Sequence, residues 1–280
     1  MNIKSIIKRS RWQLGFLDCP EDILKDDYPI HWLKGAPNDR WFADPFILDV
    51  TSETVEVLVE EVRFAHPTGR ITKLTVNRYT WELQKMTVLL ELETHMSFPA
   101  IRRDGKDVYV YPENNYSGKL TEYILEDDKL VFNRVLSDLP LTDAIQSDRF
   151  GKPIVMASKI DDECGNCLSI YKQDADGKFV FDYDVCFGSK IGRMAGDLFE
   201  IEGKLYRPAQ DCSTSYGGAL VIQEFTSLDP IGLKTVKVQK SKHPKYVQGM
   251  HTFNTFKGLA VIDVIGYDHP FLMKMIRKIK

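Results

Sequence analysis

The sequence predicts an almost all-β chain folded as a five-bladed propeller. Three observations lead there. A unit made of an apolar strand, a Gly turn and a second aliphatic or aromatic strand returns five times. The unit starts fall near 44, 99, 143, 197 and 251, a spacing of about fifty residues that lies in the range of propeller blades. Between them no segment shows a sustained helical pattern. In such a fold the first strand of each blade lines a central channel, and side chains at the strand starts converge on one face. The alternative is a β-sandwich whose hairpins resemble one another by chance.

The first unit opens with Trp41-Phe42-Ala43-Asp44-Pro45-Phe46, an acid between aromatics immediately before an apolar run. A carboxylate there belongs where a strand emerges at a wet surface, because a charge deep among apolar neighbours would go unsolvated. Val55–Glu61 alternates as a strand should, and a further strand follows from Gly69 to Val76. The second unit starts at Ser97-Phe98-Pro99, turns at Asp104-Gly105 and returns into Tyr111-Pro112-Glu113-Asn114. The third starts at Leu141-Thr142-Asp143 and turns near Gly151. The fourth runs from Met194-Ala195-Gly196-Asp197 through Glu202-Gly203 to Arg207-Pro208-Ala209-Gln210-Asp211. The fifth runs from Gly249-Met250-His251 through Lys257-Gly258 to Asp263. This divides the chain into a lead-in segment packing on the propeller (1–40), the propeller itself (41–267) and a basic amphipathic tail (268–280).

Composition narrows the function classes. With 43% hydrophobic and 28% charged residues, the chain supports a sizeable core. A net charge of −3 argues against a general nucleic-acid binder. Five cysteines are an odd number in a chain too long to need staples, which fits a reducing compartment, with cytoplasm the expectation. Cys164-Gly165-Asn166-Cys167 lacks a second Cys pair, so a hairpin turn with two incidental thiols is expected rather than zinc or redox chemistry. Residues 1–12 lack a signal-peptide core. The tail 271–280 combines four cations with a helical apolar stripe, suited to the inner face of an anionic membrane or to packing on the propeller side.

Several polar residues sit where strand starts or strand ends place them near the channel. Asp44 suits chemistry, or capping of the turn before Pro45. Arg193, near Asp197, forms an ion pair or holds a phosphate or uronate ligand. Arg207, Gln210 and Asp211 follow a buried-looking strand, where three polar groups in five positions seldom serve packing. His251 starts a blade between Met250 and Thr252, and Trp41 is placed to stack on a sugar ring.

These pieces resemble the five-bladed propeller of furanoside-active glycoside hydrolases of families 32, 43 and 68. They are more similar still to the propeller-like N-terminal domain of plant glucosamine inositolphosphorylceramide transferase and its bacterial relatives. The matching residues are 41–46, Glu60-Glu61, 97–99, 111–114, 207–211 with Tyr216-Gly217, and 249–254. The closer resemblance implies a place in sugar-conjugate or surface-polysaccharide synthesis. The hydrolases use three carboxylates from different blades. By that resemblance Asp44 is base or nucleophile and Asp143 the carboxylate that tunes the acid. The acid is Asp197 or Glu113, because Ala195-Gly196-Asp197 stands where family 43 usually has Glu-Gly-Pro. Arg193, Arg207, Gln210, Asp211, His251 and Trp41 are then expected to hold a sugar or glycan substrate. Carboxylates suffice for acetal chemistry, so no cofactor and no metal are expected. The rival expectation is a glycan-binding or scaffold propeller without catalysis.

Overall fold

A computed structural model describes residues 9–272. Two strands precede the first unit: β1 (Ser10–Leu17) and β2 (His31–Trp32). Blade one is β3 (Arg40–Val50), β4 (Thr54–Arg63), β5 (His66–Asn77) and β6 (Leu83–Leu90). Blade two is β7 (Ser97–Asp104), β8 (Asp107–Glu113), β9 (Leu120–Glu126) and β10 (Lys129–Ser137). Blade three is β11 (Leu141–Ser147), β12 (Ile154–Lys159), β13 (Cys167–Gln173) and β14 (Phe179–Cys186). Blade four is β15 (Phe199–Ile201), β16 (Lys204–Asp211), β17 (Ala219–Leu228) and β18 (Ile231–Gln239). Blade five joins β19 (Gly249–Phe256) and β20 (Leu259–Tyr267) to β1 and β2. The expected five-bladed propeller is therefore present, each blade an antiparallel meander whose Gly turns hold the hairpins together.

Within the lead-in segment, β1 belongs to a blade: it pairs with β20 along its length, from Ser10↔Tyr267 to Leu17↔Ala260. The physical reason is an unpaired edge: β20 exposes a row of backbone donors and acceptors that only another strand satisfies. Closure by β1 removes that edge and fastens the ring.

Four inner strands share a device that aims side chains at the channel. Register shifts interrupt β3 between Ala43 and Phe46, β7 between Ser97 and Ala100, β11 between Thr142 and Ile145, and β19 between Met250 and Thr252. At the first three, Asp44, Phe98 and Asp143 adopt left-handed φ values of 49°, 45° and 48°. A bulge of this kind turns the strand and re-aims one residue. Asp tolerates the left-handed region better than most residues, whereas Phe98 does not. The core lies between blades, where inner-strand residues of neighbours meet: Phe46 and Phe98 pack edge to face, with ring centroids 5.0 Å apart.

The cysteines also depart from expectation. Cys167 and Cys186 are joined in a disulfide because β13 and β14 place them directly opposite at the strand ends. Cys167 is thus no incidental thiol. Among the described residues no helix is long and apolar enough to cross a membrane. The tail expected to lie on a membrane surface or to pack on the propeller side falls, from residue 273 onward, outside the described residues.

Candidate functional site

One end of the channel opens into a cavity of about 300 Å³ lined by Trp12, Trp41, Asp44, Glu60, His95, Ser97, Glu113, Glu163, Arg193, Tyr216 and His251. Three of these occupy one structural position. Trp41, His95 and Arg193 each stand three residues before the turn that starts an inner strand, at Asp44, Phe98 and Gly196, all with positive φ. The bulge that re-aims each strand also fixes the residue ahead of it over the channel mouth.

Asp44 is 5% exposed and sits at the centre of a network between blades one, two and five. Its Oδ2 accepts from the Phe98 N–H at 3.1 Å, and its Oδ1 from the Thr252 hydroxyl at 3.1 Å. Its own N–H donates to Asp263 Oδ2 at 2.9 Å. Asp263, fully buried on β20, also takes the Thr252 N–H at 2.9 Å and His251 Nδ1 at 2.8 Å. His251 Nε2 lies 3.5 Å from Asp44 Oδ1. Burial pushes the Asp44 carboxyl up to about 7, against the opposing pull of His251. Burial alone would lower His251, yet Asp263 and then Asp44 raise it to about 9. An imidazolium between two carboxylates results, and Trp12 stacks on it from β1.

Asp143 and Glu113 form a second center. Arg193 Nε donates to Asp143 Oδ2 at 2.5 Å and Gln210 Nε2 donates to the same oxygen at 2.7 Å. Glu113 Oε2 accepts the Asp143 N–H at 2.9 Å, and its Oε1 accepts from Asn115 at 2.9 Å. Burial first, and then the neighbouring Asp143 charge, hold Glu113 well above the usual carboxylate range. Arg193 reaches outward as well, to Glu163 at 3.4 Å and the Tyr216 hydroxyl at 3.3 Å.

Of the residues singled out from sequence, Asp44, Glu113, Trp41, Arg193 and His251 line this cavity, and Asp143 and Gln210 support it from beneath. Three lie elsewhere. Asp197 lines a different cavity of about 500 Å³ with Arg102, Arg103, Gln146 and Arg149, sharing no residue with the first. Burial raises its carboxyl to about 6, and its charged neighbours are Arg149 and Arg103. It is not grouped with Asp44 and Asp143 in the first cavity: its N–H donates to Asn254 Oδ1 at 2.7 Å, and its own Oδ1 accepts from the Leu198 N–H at 2.7 Å. Arg207, expected to contact ligand, is fully buried inside blade four. It donates to the Gly192 carbonyl, the Ile191 carbonyl and Gln223. Strand alternation puts it in the blade interior, where it anchors the loop leading to Arg193. Asp211 accepts from the Ser213 N–H at 2.8 Å and caps a turn.

Sequence reasoning missed Trp12, His95, Glu163 and Asp263. His95 was findable from its place three residues before Phe98, matching Trp41 before Asp44. Its Nδ1 accepts from the Gly69 N–H at 2.9 Å while Nε2 contacts Glu60 Oε1 at 2.9 Å. That contact leaves no room for a side chain at Gly69, where a Cβ would stand 2.5 Å from the Met96 carbonyl and 2.8 Å from His95.

Asp44, His251 and Asp263 bring three potential metal-ligand atoms within 4.8 Å of one another, a grouping that sequence spacing did not indicate. The Asp263 Oδ1 atom there already accepts from three N–H groups, so the donor set fits a hydrogen-bonded charge network better than a cation.

The fold and the acid-lined central cavity define a five-bladed propeller of the architecture found in glycoside hydrolases. A family 43 β-xylosidase/α-arabinofuranosidase from a compost microbial metagenome superposes with a TM-score of 0.55 at 14% identity, over 81% of this chain and 90% of that one. A family 117 glycoside hydrolase from Zobellia galactanivorans superposes with a TM-score of 0.52 at 10% identity, over 94% and 92%. The chain belongs to the family described as Glucosamine inositolphosphorylceramide transferase 1, N-terminal, which it matches over residues 34–264. Glucosamine inositolphosphorylceramide transferase 1 of Oryza sativa subsp. indica is 26% identical over 224 residues, and its counterpart in subsp. japonica is equally similar. The match covers 73% of this chain and 29% of the rice protein's length.

Proposed function

We propose that this propeller handles sugar in the assembly of a glycan or sugar conjugate, and that its cavity performs acid–base chemistry at a glycosidic linkage. The observation that supports this most is the pairing of Asp44 and Glu113 in one cavity, each held by a different set of charged neighbours. Glu113, beside the Arg193-paired Asp143, has its carboxyl held well above the usual range by burial and the Asp143 charge and is the acid that protonates a leaving oxygen. Asp44 loses its proton near pH 7, helped by His251, and is the base or nucleophile. Asp143, pinned by Arg193 and Gln210, tunes the acid. Trp12, Trp41 and Tyr216 offer aromatic faces for a sugar ring. The rice relatives' name supports sugar-conjugate assembly as the setting.

A second reading is a glycan-binding module without chemistry. It is favoured by Asp44 itself, both of whose oxygens already accept hydrogen bonds inside the protein. Turnover separates the two. Furanosides, activated sugar donors and lipid-linked glycans are offered to the wild type, Asp44→Asn and Glu113→Gln. Catalysis predicts a fall of at least about a hundredfold in either variant with affinity largely kept. Binding without turnover in the wild type, weakened by about 1–3 kcal/mol in Asp44→Asn, would replace the enzyme reading with the binding module.

A further inference from the structure

Four of the five cysteines gather around the loop that delivers Arg193. One pair is already bonded, Cys167 to Cys186. The other pair is free: Cys164 and Cys212 have their sulfurs 3.1 Å apart. Cys164 lies on the turn that precedes β13 in blade three, and Cys212 directly follows β16 in blade four. We infer that Cys164 and Cys212 form a second, reversible disulfide that clamps together the two loops framing Arg193.

The geometry requires little motion, since a sulfur–sulfur bond is about 2.05 Å long and the atoms need to approach by about 1 Å. Cys212 is buried, and its N–H donates to the Lys190 carbonyl at 2.9 Å, so that side is fixed. Cys164 is only half-buried. Its contact with Cys212 and the nearby Arg193 guanidinium bring its thiol down to about 7, so it is the sulfur that meets an oxidant first.

With glutathione disulfide as oxidant the step balances. The Cys164 thiolate attacks one sulfur of glutathione disulfide, forming a mixed disulfide and releasing one glutathione. Cys212, giving up its proton, attacks the Cys164 sulfur and releases the second glutathione. Two electrons leave the protein, and its two thiol protons end on two glutathione thiols.

The consequence falls on the cavity. Glu163 adjoins Cys164, and Tyr216 stands four residues after Cys212. These two side chains take the outward N–H groups of Arg193, whose Nε holds Asp143. Joining the loops restricts both partners at once, and Tyr216, 51% exposed, has the most freedom to lose.

The test uses the full chain, equilibrated in reduced or oxidised glutathione, alkylated and mapped by mass spectrometry. Reduced glutathione should leave Cys19, Cys164 and Cys212 alkylatable, three sites. Oxidised glutathione should give a crosslinked 164–212 peptide, with exposed Cys19 left free or carrying glutathione. Cys212→Ser should instead trap glutathione on Cys164. Cys164 and Cys212 found without a crosslink in oxidised glutathione, with Cys167–Cys186 intact, would overturn the inference. Hydrogen exchange tests the clamp: amides of 213–218 should exchange more slowly in the oxidised wild type and not in Cys212→Ser, and equal rates would remove the clamp. Neither readout needs a ligand, so the outcome is independent of whether the cavity takes a sugar.

Discussion

Trp12 lies flat against His251, with ring centroids 3.8 Å apart and planes 18° from parallel. The two residues come from β1 and β19 of the fifth blade, and together they wall the cavity on the side of Asp44. An indole face over an imidazolium adds cation–π attraction to the packing. Trp12→Ala should therefore lower stability by about 3–5 kcal/mol, the cost of deleting a buried aromatic. Trp12→Phe should retain most of it. Chemical denaturation of the two variants checks this, and equal losses would show that the stacked ring contributes nothing beyond filling space.

The pair Asp44 and His251 makes stability pH-dependent in a definite direction. Both bind protons more tightly in the folded protein, Asp44 at about 7 against 3.8 and His251 at about 9 against 6.5. Their contribution is full below the lower value of each and is lost as pH rises through the higher one. The melting temperature should fall between about pH 4 and pH 9. The His251 share is on the order of 3 kcal/mol. His251→Asn should flatten the alkaline part of the profile, and Asp44→Asn the part between about pH 4 and 7. A profile rising toward pH 9 would contradict the arrangement.

Asp143 should matter twice. Removing its charge in Asp143→Asn leaves the Arg193 guanidinium buried without its nearest anion, at a cost of about 3–5 kcal/mol. The same change removes the neighbour that pushes Glu113 upward. Carbon-detected NMR titration of Glu113 should show its carboxyl titrating lower in the variant. An unmoved Glu113 would remove Asp143 from the tuning role.

Arg207 is a separate case, because among the described residues no carboxylate partners it. Its guanidinium is matched to the Ile191 and Gly192 carbonyls and Gln223, and burial brings it down to about 9. Arg207→Ala strands those acceptors and should cost at least about 3 kcal/mol, at about 1–3 kcal/mol for each buried group left unpaired. A thermal melt measures the loss, and an unchanged midpoint would mean that water replaces the guanidinium.

The blades were legible because each repeats one local problem, a strand that must start at the channel and turn back at a glycine. The Asp44-Pro45 and Phe98-Pro99 pairs mark the bulges, since proline gives up the N–H that a bulge leaves unpaired. Asp44 and Asp143 were findable for the same reason. Arg207 and Asp197 were misplaced because a polar residue beside a strand looks the same in sequence whether it faces the first cavity, a separate one or the blade interior. Trp12, Glu163 and Asp263 reach the site from segments whose neighbours in space are far away in sequence. The Asp44–Asp263 contact spans 219 residues, and no local pattern records it. The Cys167–Cys186 bond depends on the register of β13 against β14, which pattern alone does not set.

The closure of blade five by β1 bears on the order in which the chain is made. Residues 10–17 leave the ribosome before all the inner strands of the ring, and their partner, residues 259–267, leaves after them. Until then the nascent chain is an open horseshoe with two raw edges. Trp12 has no His251 to lie on, and Asp44 has neither Thr252 nor Asp263. A chain interrupted anywhere before its final blade can fold several sheets correctly and still own no working cavity, so possession of the cavity certifies that synthesis ran through the last blade.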